Sequence, residues 1–163
     1  MGLHIGDSAP DFAARDQADV VWTLDSSGNP FTLLTFWKTS CSACQTTFPY
    51  LARIAEGYPK LVTVIGVVQD ASAEAGAALA NEWGAHFPII SDRHPFPISR
   101  AYDPTVTPTM YFIDNDRKRI VARYQACVKA DLNELSGRIA EFGSVPAIVV
   151  APEGDGNPAW TPG

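Results

Sequence analysis

Two cysteines two residues apart, Cys41-Ser42-Ala43-Cys44, stand where an apolar run gives way to a helical pattern, and no other stretch limits the possible folds as tightly. Leu33 to Trp37 reads as a buried strand. After a short polar bend, Phe48, Leu51, Ala52 and Ala55 recur at helical spacing, so the cysteines open a helix. Side chains three apart on a helix lie about 5–6 Å from each other, within the separation a disulfide spans without backbone strain. Cys41 falls at the helix start, where unpaired N–H groups and the positive end of the helix dipole favour a thiolate, and Cys44 sits one turn deeper and less exposed. One sulfur is placed to attack and the other to resolve. Ordinary core cysteines and half of a zinc site are the competing readings of the same four residues.

At 163 residues the chain is read as one domain, residues 1–143, with a short extension, 144–163. A net charge of −6 and a pI near 4.9 argue against nucleic acid or an anionic membrane as the main partner, which leaves a protein or a small molecule. Three cysteines are too few for a disulfide-built framework. Cys127, the one outside the motif, is expected to be a small buried hydrophobe. The first thirty residues carry Asp7, Asp11, Asp16, Asp19 and Asp25 and no apolar core of the kind a secretory leader needs. The compartment stays open: cytoplasmic if Met1 is the native start, extracytoplasmic if a leader or anchor has been removed. Apolar runs such as Leu61 to Val68 fall well short of the roughly 20 residues that span a bilayer.

In chain order, Pro10 keeps the first dozen residues extended, and Val20 to Leu24, a turn at 26–29 and Phe31 to Trp37 suggest a hairpin feeding a central strand. Leu61 to Val68 is a continuous β-branched run, the mark of a parallel strand covered on both faces. Ser72 is a candidate N-cap for a helix with Ala75, Leu79 and Trp83 on one side, stopped at Gly84. Phe87 to Ile90 is a short strand, and the prolines at 95 and 97 allow only a short helix before Tyr102. Met110 to Asp114 and Ile120 to Gln125 form an antiparallel hairpin, and Leu132, Leu135, Ile139 and Phe142 a last amphipathic helix. The expected fold is α/β, a mixed central sheet flanked by helices with an N-terminal β-hairpin. Four prolines and three glycines in residues 144–163 point to a mobile extension, with Val145 to Val150 docking as a strand or strap as the lesser alternative.

From Ile5 to about Phe142 the chain resembles the thioredoxin superfamily, specifically its TlpA/ResA-like thiol:disulfide oxidoreductases, grouped with the redoxin (AhpC/TSA) family. The residues that carry the likeness are Gly6, Ala9-Pro10-Asp11-Phe12, Phe36-Trp37, the Cys41–Cys44 motif, Phe48-Pro49, Phe87-Pro88, Asp92, Ala101-Tyr102, Thr107-Pro108-Thr109 and Phe112-Ile113-Asp114. A Cys-x-x-Cys alone is weak; with Pro49 five residues on and Pro-Thr opening a strand far downstream it is specific. The resemblance implies a thioredoxin-like fold, Pro49 kinking the helix, Pro108 as a cis-proline beside the sulfurs, and Thr107 pairing through its backbone with an extended substrate.

Two departures stand out. Ser40 occupies the place before the first cysteine where the family often has Trp, and Thr35 the place where thioredoxins bury an Asp. The resemblance therefore directs attention to Asp70, after the following strand, as acid/base for Cys44, with Gln69 or Ala71 as the neighbouring residues that could take that place and a solvated loop carboxylate capping the Ser72 helix as the alternative role. Trp37, Ser40 and Thr107 are the expected substrate contacts. The expected partners are protein disulfides and dithiols met by a monomer, with this chain as reductant by analogy, and no cofactor or metal is required. A peroxiredoxin-like peroxidase would need Thr or Ser three residues before the reactive cysteine and Pro seven before; Lys38 and Leu34 stand there. A binding module or metallochaperone would need further ligands, and His4, His86 and His94 show no ligand spacing.

Overall fold

The computed structural model describes residues 2–163. Its elements in order are β1 (Ala14–Arg15), β2 (Val21–Trp22), β3 (Phe31–Trp37), α1 (Ser42–Gly57), β4 (Val62–Val68), α2 (Ala73–Glu82), β5 (Ile89–Ser91), α3 (Pro97–Tyr102), β6 (Thr109–Asp114), β7 (Arg119–Gln125), β8 (Cys127–Val128), α4 (Lys129–Gly143) and β9 (Trp160–Thr161). Five strands form the central sheet in the order β5-β4-β3-β6-β7. The β3, β4 and β5 strands run parallel, while β6 and β7 lie antiparallel to their neighbours. This is the mixed sheet with an N-terminal hairpin expected above, a thioredoxin-like fold.

β3 is the middle strand because all seven of its residues are apolar or threonine, and all seven are buried. Alternation sends its side chains into two cores. Leu33 and Trp37 meet Leu51 and Ile54 of α1 and Leu132, Leu135 and Ile139 of α4 on one face, while Leu34 and Phe36 meet Phe12, Leu24, Ile98 and Tyr102 on the other. Trp37 fits at the end of the strand because a glycine faces it on β4: a Cβ on Gly66 would stand 3.0 Å from the indole nitrogen and 2.7 Å from Ile89 Cδ1. Its ring then packs edge-on to Phe48 and Trp83.

Three local expectations are corrected. The hairpin joins β1 to β2, not residues 20–24 to β3. Asp16 sets it: its carboxylate accepts from the N–H groups of Ala18 and Val20 and from Trp22 Nε1, which closes the turn locally and leaves Leu24 free to enter the core. α2 lays Ala73, Gly76 and Ala80 on the sheet instead of Ala75, because small residues let the helix approach Trp37 and Val68 closely. Phe142 of α4 is 60% exposed, its ring meeting Phe31 edge-on.

Residues 144–163, whose composition pointed to a mobile extension, lie against α1 and α4. Val150 and Ala151 are buried. The backbone of the segment is satisfied by side chains. Arg53 donates to the Val150 carbonyl, Ser136 to that of Ile148, and Asn133 both donates to and accepts from Ala151, while the Tyr58 hydroxyl accepts from Ile148 N–H. Lys129, 8% exposed at its side chain, donates to the Pro152 carbonyl and to Asp155 Oδ1 at 2.6 Å, and the Tyr50 hydroxyl donates to the other carboxylate oxygen.

The Lys129 hydrogen bond, then that from Tyr50, holds the Asp155 carboxyl well below the usual carboxylate range. A depressed carboxyl stabilises the fold above its unfolded value, near about 3.9, and the contribution fades as pH falls through the folded value. Thermal melts of Asp155→Asn should therefore lie below those of the parent at neutral pH, with the gap narrowing once pH drops below about 4. A gap that widened in acid would contradict the ion pair.

Candidate active site

β3 ends at Trp37, whose carbonyl accepts the Gln69 N–H from the end of β4, and the chain turns at 38–41 with the Cys41 N–H bonded to the Lys38 carbonyl at 3.3 Å. Cys41 is the N-cap of α1, in extended conformation (φ −99°, ψ 110°), and its sulfur accepts the Cys44 N–H at 3.0 Å. The two cysteines form a disulfide with their Cα atoms 5.2 Å apart. Cys41 is partly exposed and Cys44 fully buried. Pro49 lies inside α1, so the helix lacks one internal N–H a turn after the motif.

The loop before β6 faces this turn. The Thr107–Pro108 peptide is cis, and the Thr107 carbonyl oxygen lies 3.3 Å from Cys41 Sγ, where a reduced thiol can donate. Pro108 is buried, its carbonyl accepting from Ala126 N–H, and Thr109 Oγ1 donates to the Val106 carbonyl to close the loop. An open cleft of about 290 Å³ beside the loop is lined by Lys38, Gln69, Thr105, Val106, Thr107 and Gly163.

The remaining expected residues divide. Ser40 is exposed at the tip of the turn. Asp70 is also exposed, and its carboxylate accepts from Thr39 N–H at 3.0 Å and from Thr39 Oγ1 at 2.8 Å, clasping the turn that precedes Cys41. The N-cap of α2 is Ser72 itself, bonded to Ala75 N–H. Trp37 does not present a surface to a partner: it is fully buried, a consequence of the space left by Gly66, and supports the start of α1 from below. Thr35 is buried, and among the described residues its hydroxyl has no hydrogen-bond partner. Burial pushes the Cys127 thiol up, with the Thr47 hydroxyl offsetting part of this, so it is a protonated core residue at neutral pH. Lys129 points into its pair with Asp155, not at the sulfurs.

Sequence reasoning did not find that Gln69 binds Ser99 and lines the cleft, or that Gly163 lies beside Thr107. Both contacts join segments remote in the chain, and neither residue belongs to a motif. Among the described residues no cluster of three or more His, Cys, Asp or Glu could hold a metal ion, and no helix is long and apolar enough to cross a membrane.

A thioredoxin-like sheet that sets a Cys-x-x-Cys pair at a helix start, opposite a cis-proline loop, defines a thiol-disulfide oxidoreductase. The chain belongs to the AhpC/TSA family, whose model matches residues 5–122. It is similar to the thiol-disulfide oxidoreductase ResA of Bacillus thuringiensis, 29% identical over 117 residues that cover 71% of this chain and 67% of that protein. The ResA of Geobacillus kaustophilus is 28% identical over 115 residues, covering 70% and 66%. In three dimensions it resembles a DsbE-type thiol:disulfide interchange protein from Chlorobium tepidum, with a TM-score of 0.74, 26% identity and coverage of 85% of this chain and 97% of that one.

The difference in exposure makes the three thiols chemically unequal. When the reduced protein is treated with limiting iodoacetamide at neutral pH, mass mapping should find Cys41 modified first, at a rate at least about tenfold that of Cys44 or Cys127.

Proposed function

We propose that this protein reduces disulfides in partner proteins through a mixed disulfide at Cys41. The carrying observation is a sulfur at the start of α1, reachable from solvent and 3.3 Å from the Thr107 carbonyl, with Cys44 buried one turn behind it. In the dithiol form, the Cys41 thiolate attacks one sulfur of the partner's disulfide; a new S–S bond forms, the partner's bond breaks, and its departing thiolate takes a proton. Cys44 then attacks the Cys41 sulfur and expels the partner's second thiolate. Two electrons have moved to the partner, and the Cys41–Cys44 disulfide remains to be re-reduced by another dithiol. The backbone at Thr107 receives the partner's extended segment, and Ser40 at the exposed tip meets its flank.

In this scheme Asp70 is a positioning residue. Its carboxylate, accepting from the Thr39 N–H and hydroxyl, holds the turn from which the Cys41 N–H reaches the Lys38 carbonyl. The extracytoplasmic setting that the family likeness favours belongs to the same proposal, and the potential of the Cys41/Cys44 couple against glutathione tests it together with the direction of transfer.

Cys41→Ser should abolish reduction of insulin disulfides, whereas Cys44→Ser should accumulate mixed disulfides with substrate. Activity equal to the parent's in either variant would defeat the role assignment, and rapid peroxide consumption would favour a peroxidase. Asp70→Asn should slow insulin reduction by about threefold to tenfold through the loosened turn while leaving the shape of the pH–rate profile unchanged. A displaced limb in that profile would instead make Asp70 the acid/base for Cys44.

A further inference from the structure

The end of the 144–163 segment comes back to the reactive sulfur. β9 pairs antiparallel with β8, Trp160 opposite Val128 and Thr161 opposite Cys127, and the Ala159 carbonyl accepts from Lys129 N–H at 3.0 Å. Continued in that direction, the chain runs toward the corner where Ala126 N–H holds the Pro108 carbonyl. It reaches Thr107. A Cβ on Gly163 would stand 2.5 Å from the Thr107 carbonyl oxygen and 3.4 Å from Val106 Cβ. That oxygen is the one lying 3.3 Å from Cys41 Sγ.

We propose that residues 159–163 form a displaceable strap, an added strand that occupies the edge beside Thr107 which a partner's extended segment must take to reach Cys41. The inference rests on the thiol-disulfide exchange reading above and adds an occupant to its docking edge. Two features make the strap weakly held. The β8–β9 ladder is two residues long with Trp160 left 60% exposed, and Thr161 buries a hydroxyl that has no partner among the described residues. Upstream, Asp155 and Asn157 remain anchored to Lys129 and Tyr50, so release of the strap leaves the stem in place. The apparent rate at Cys41 toward an extended partner is then scaled by the fraction of molecules whose edge is open. A partner segment lying along the same path needs a small residue opposite Thr107, where only glycine fits the strap.

The test compares the reduced full chain, a chain ending after Pro158, and full-length Gly163→Leu, whose side chain would collide with Thr107 while the rest of the fold is kept. Each is alkylated at Cys41 by iodoacetamide and by an extended hexapeptide carrying an iodoacetyl group, and each is assayed with a peptide disulfide. Peptide alkylation should rise about tenfold in both altered chains, with iodoacetamide alkylation unchanged within about twofold. Equal peptide rates in all three proteins overturn the strap. A fall overturns it too, making the segment part of the docking edge, and an equal rise with iodoacetamide overturns it as simple cover over the sulfur. Because alkylation needs no exchange, absence of peptide-disulfide reduction in all three proteins defeats the oxidoreductase reading separately, while the alkylation rates still decide the strap.

Discussion

Backbone N–H groups in the first turn of a helix have no acceptor of their own, and α1 turns that need into chemistry by offering the Cys44 N–H to the Cys41 sulfur. The surroundings keep this turn at one height above the sheet. The Gln69 N–H pins the last carbonyl of β3, Asp70 holds Thr39, and the Lys38 carbonyl takes the Cys41 N–H. Beneath them the Trp37 indole fills the space that Gly66 leaves open on β4, and its edge contact with Phe48 ties the strand end to the helix it launches. A larger residue at 66 would lift Trp37, and the sulfurs with it.

The opposing wall depends on a different kind of constraint. The Thr107 carbonyl can face Cys41 because Pro108 behind it is buried and its own carbonyl is fixed by Ala126 N–H. Ala126 adopts a left-handed conformation, φ 61°, at the corner between β7 and β8. That corner directs β8 under α1 and gives β9 its partner. The reactive site and the docking of the last residues are thus built on one bend in the chain.

The elements with strong signals were legible in the sequence: β3 and β4 as continuous apolar runs, α1 from its spacing, β6 and β7 as an antiparallel pair around a polar turn. The pairing of the two cysteines and the place of Pro108 followed from the motif and the resemblance. The rest was hidden where structure is carried by polar side chains acting at a distance. Asp16 makes a hairpin of two-residue strands with little apolar signal, and Asp70 meets Thr39 across 31 residues. The 144–163 segment reads as mobile because it holds four prolines and three glycines; Arg53, Asn133, Ser136 and Lys129, ordinary polar positions on two helices, bind its backbone and hold it down. Buried Lys129 reads in sequence as a surface charge, and only the carboxylate 26 residues later explains its burial.

The electrostatics of the first helical turn bear on the direction of electron flow. Whatever stabilises the Cys41 thiolate stabilises the reduced protein and makes it a stronger oxidant. One charged hydrogen bond contributes about 1.5–3 kcal/mol, or about 30–65 mV for a two-electron couple. The Cys44 N–H supplies one such bond. The rest of the first turn, Ser42, Ala43 and Gln45, carries no charge, and Lys129, which could have added positive potential from β8's end, is neutralised by Asp155. Beyond that bond and the helix dipole, the first turn adds no charge of its own to hold the dithiol, and the proposed role as donor requires that these two contributions stay small. A cation brought into contact with Cys41 would push the couple the other way, and Lys38, exposed and lining the cleft beside Thr107, is a cationic side chain on that side of the site.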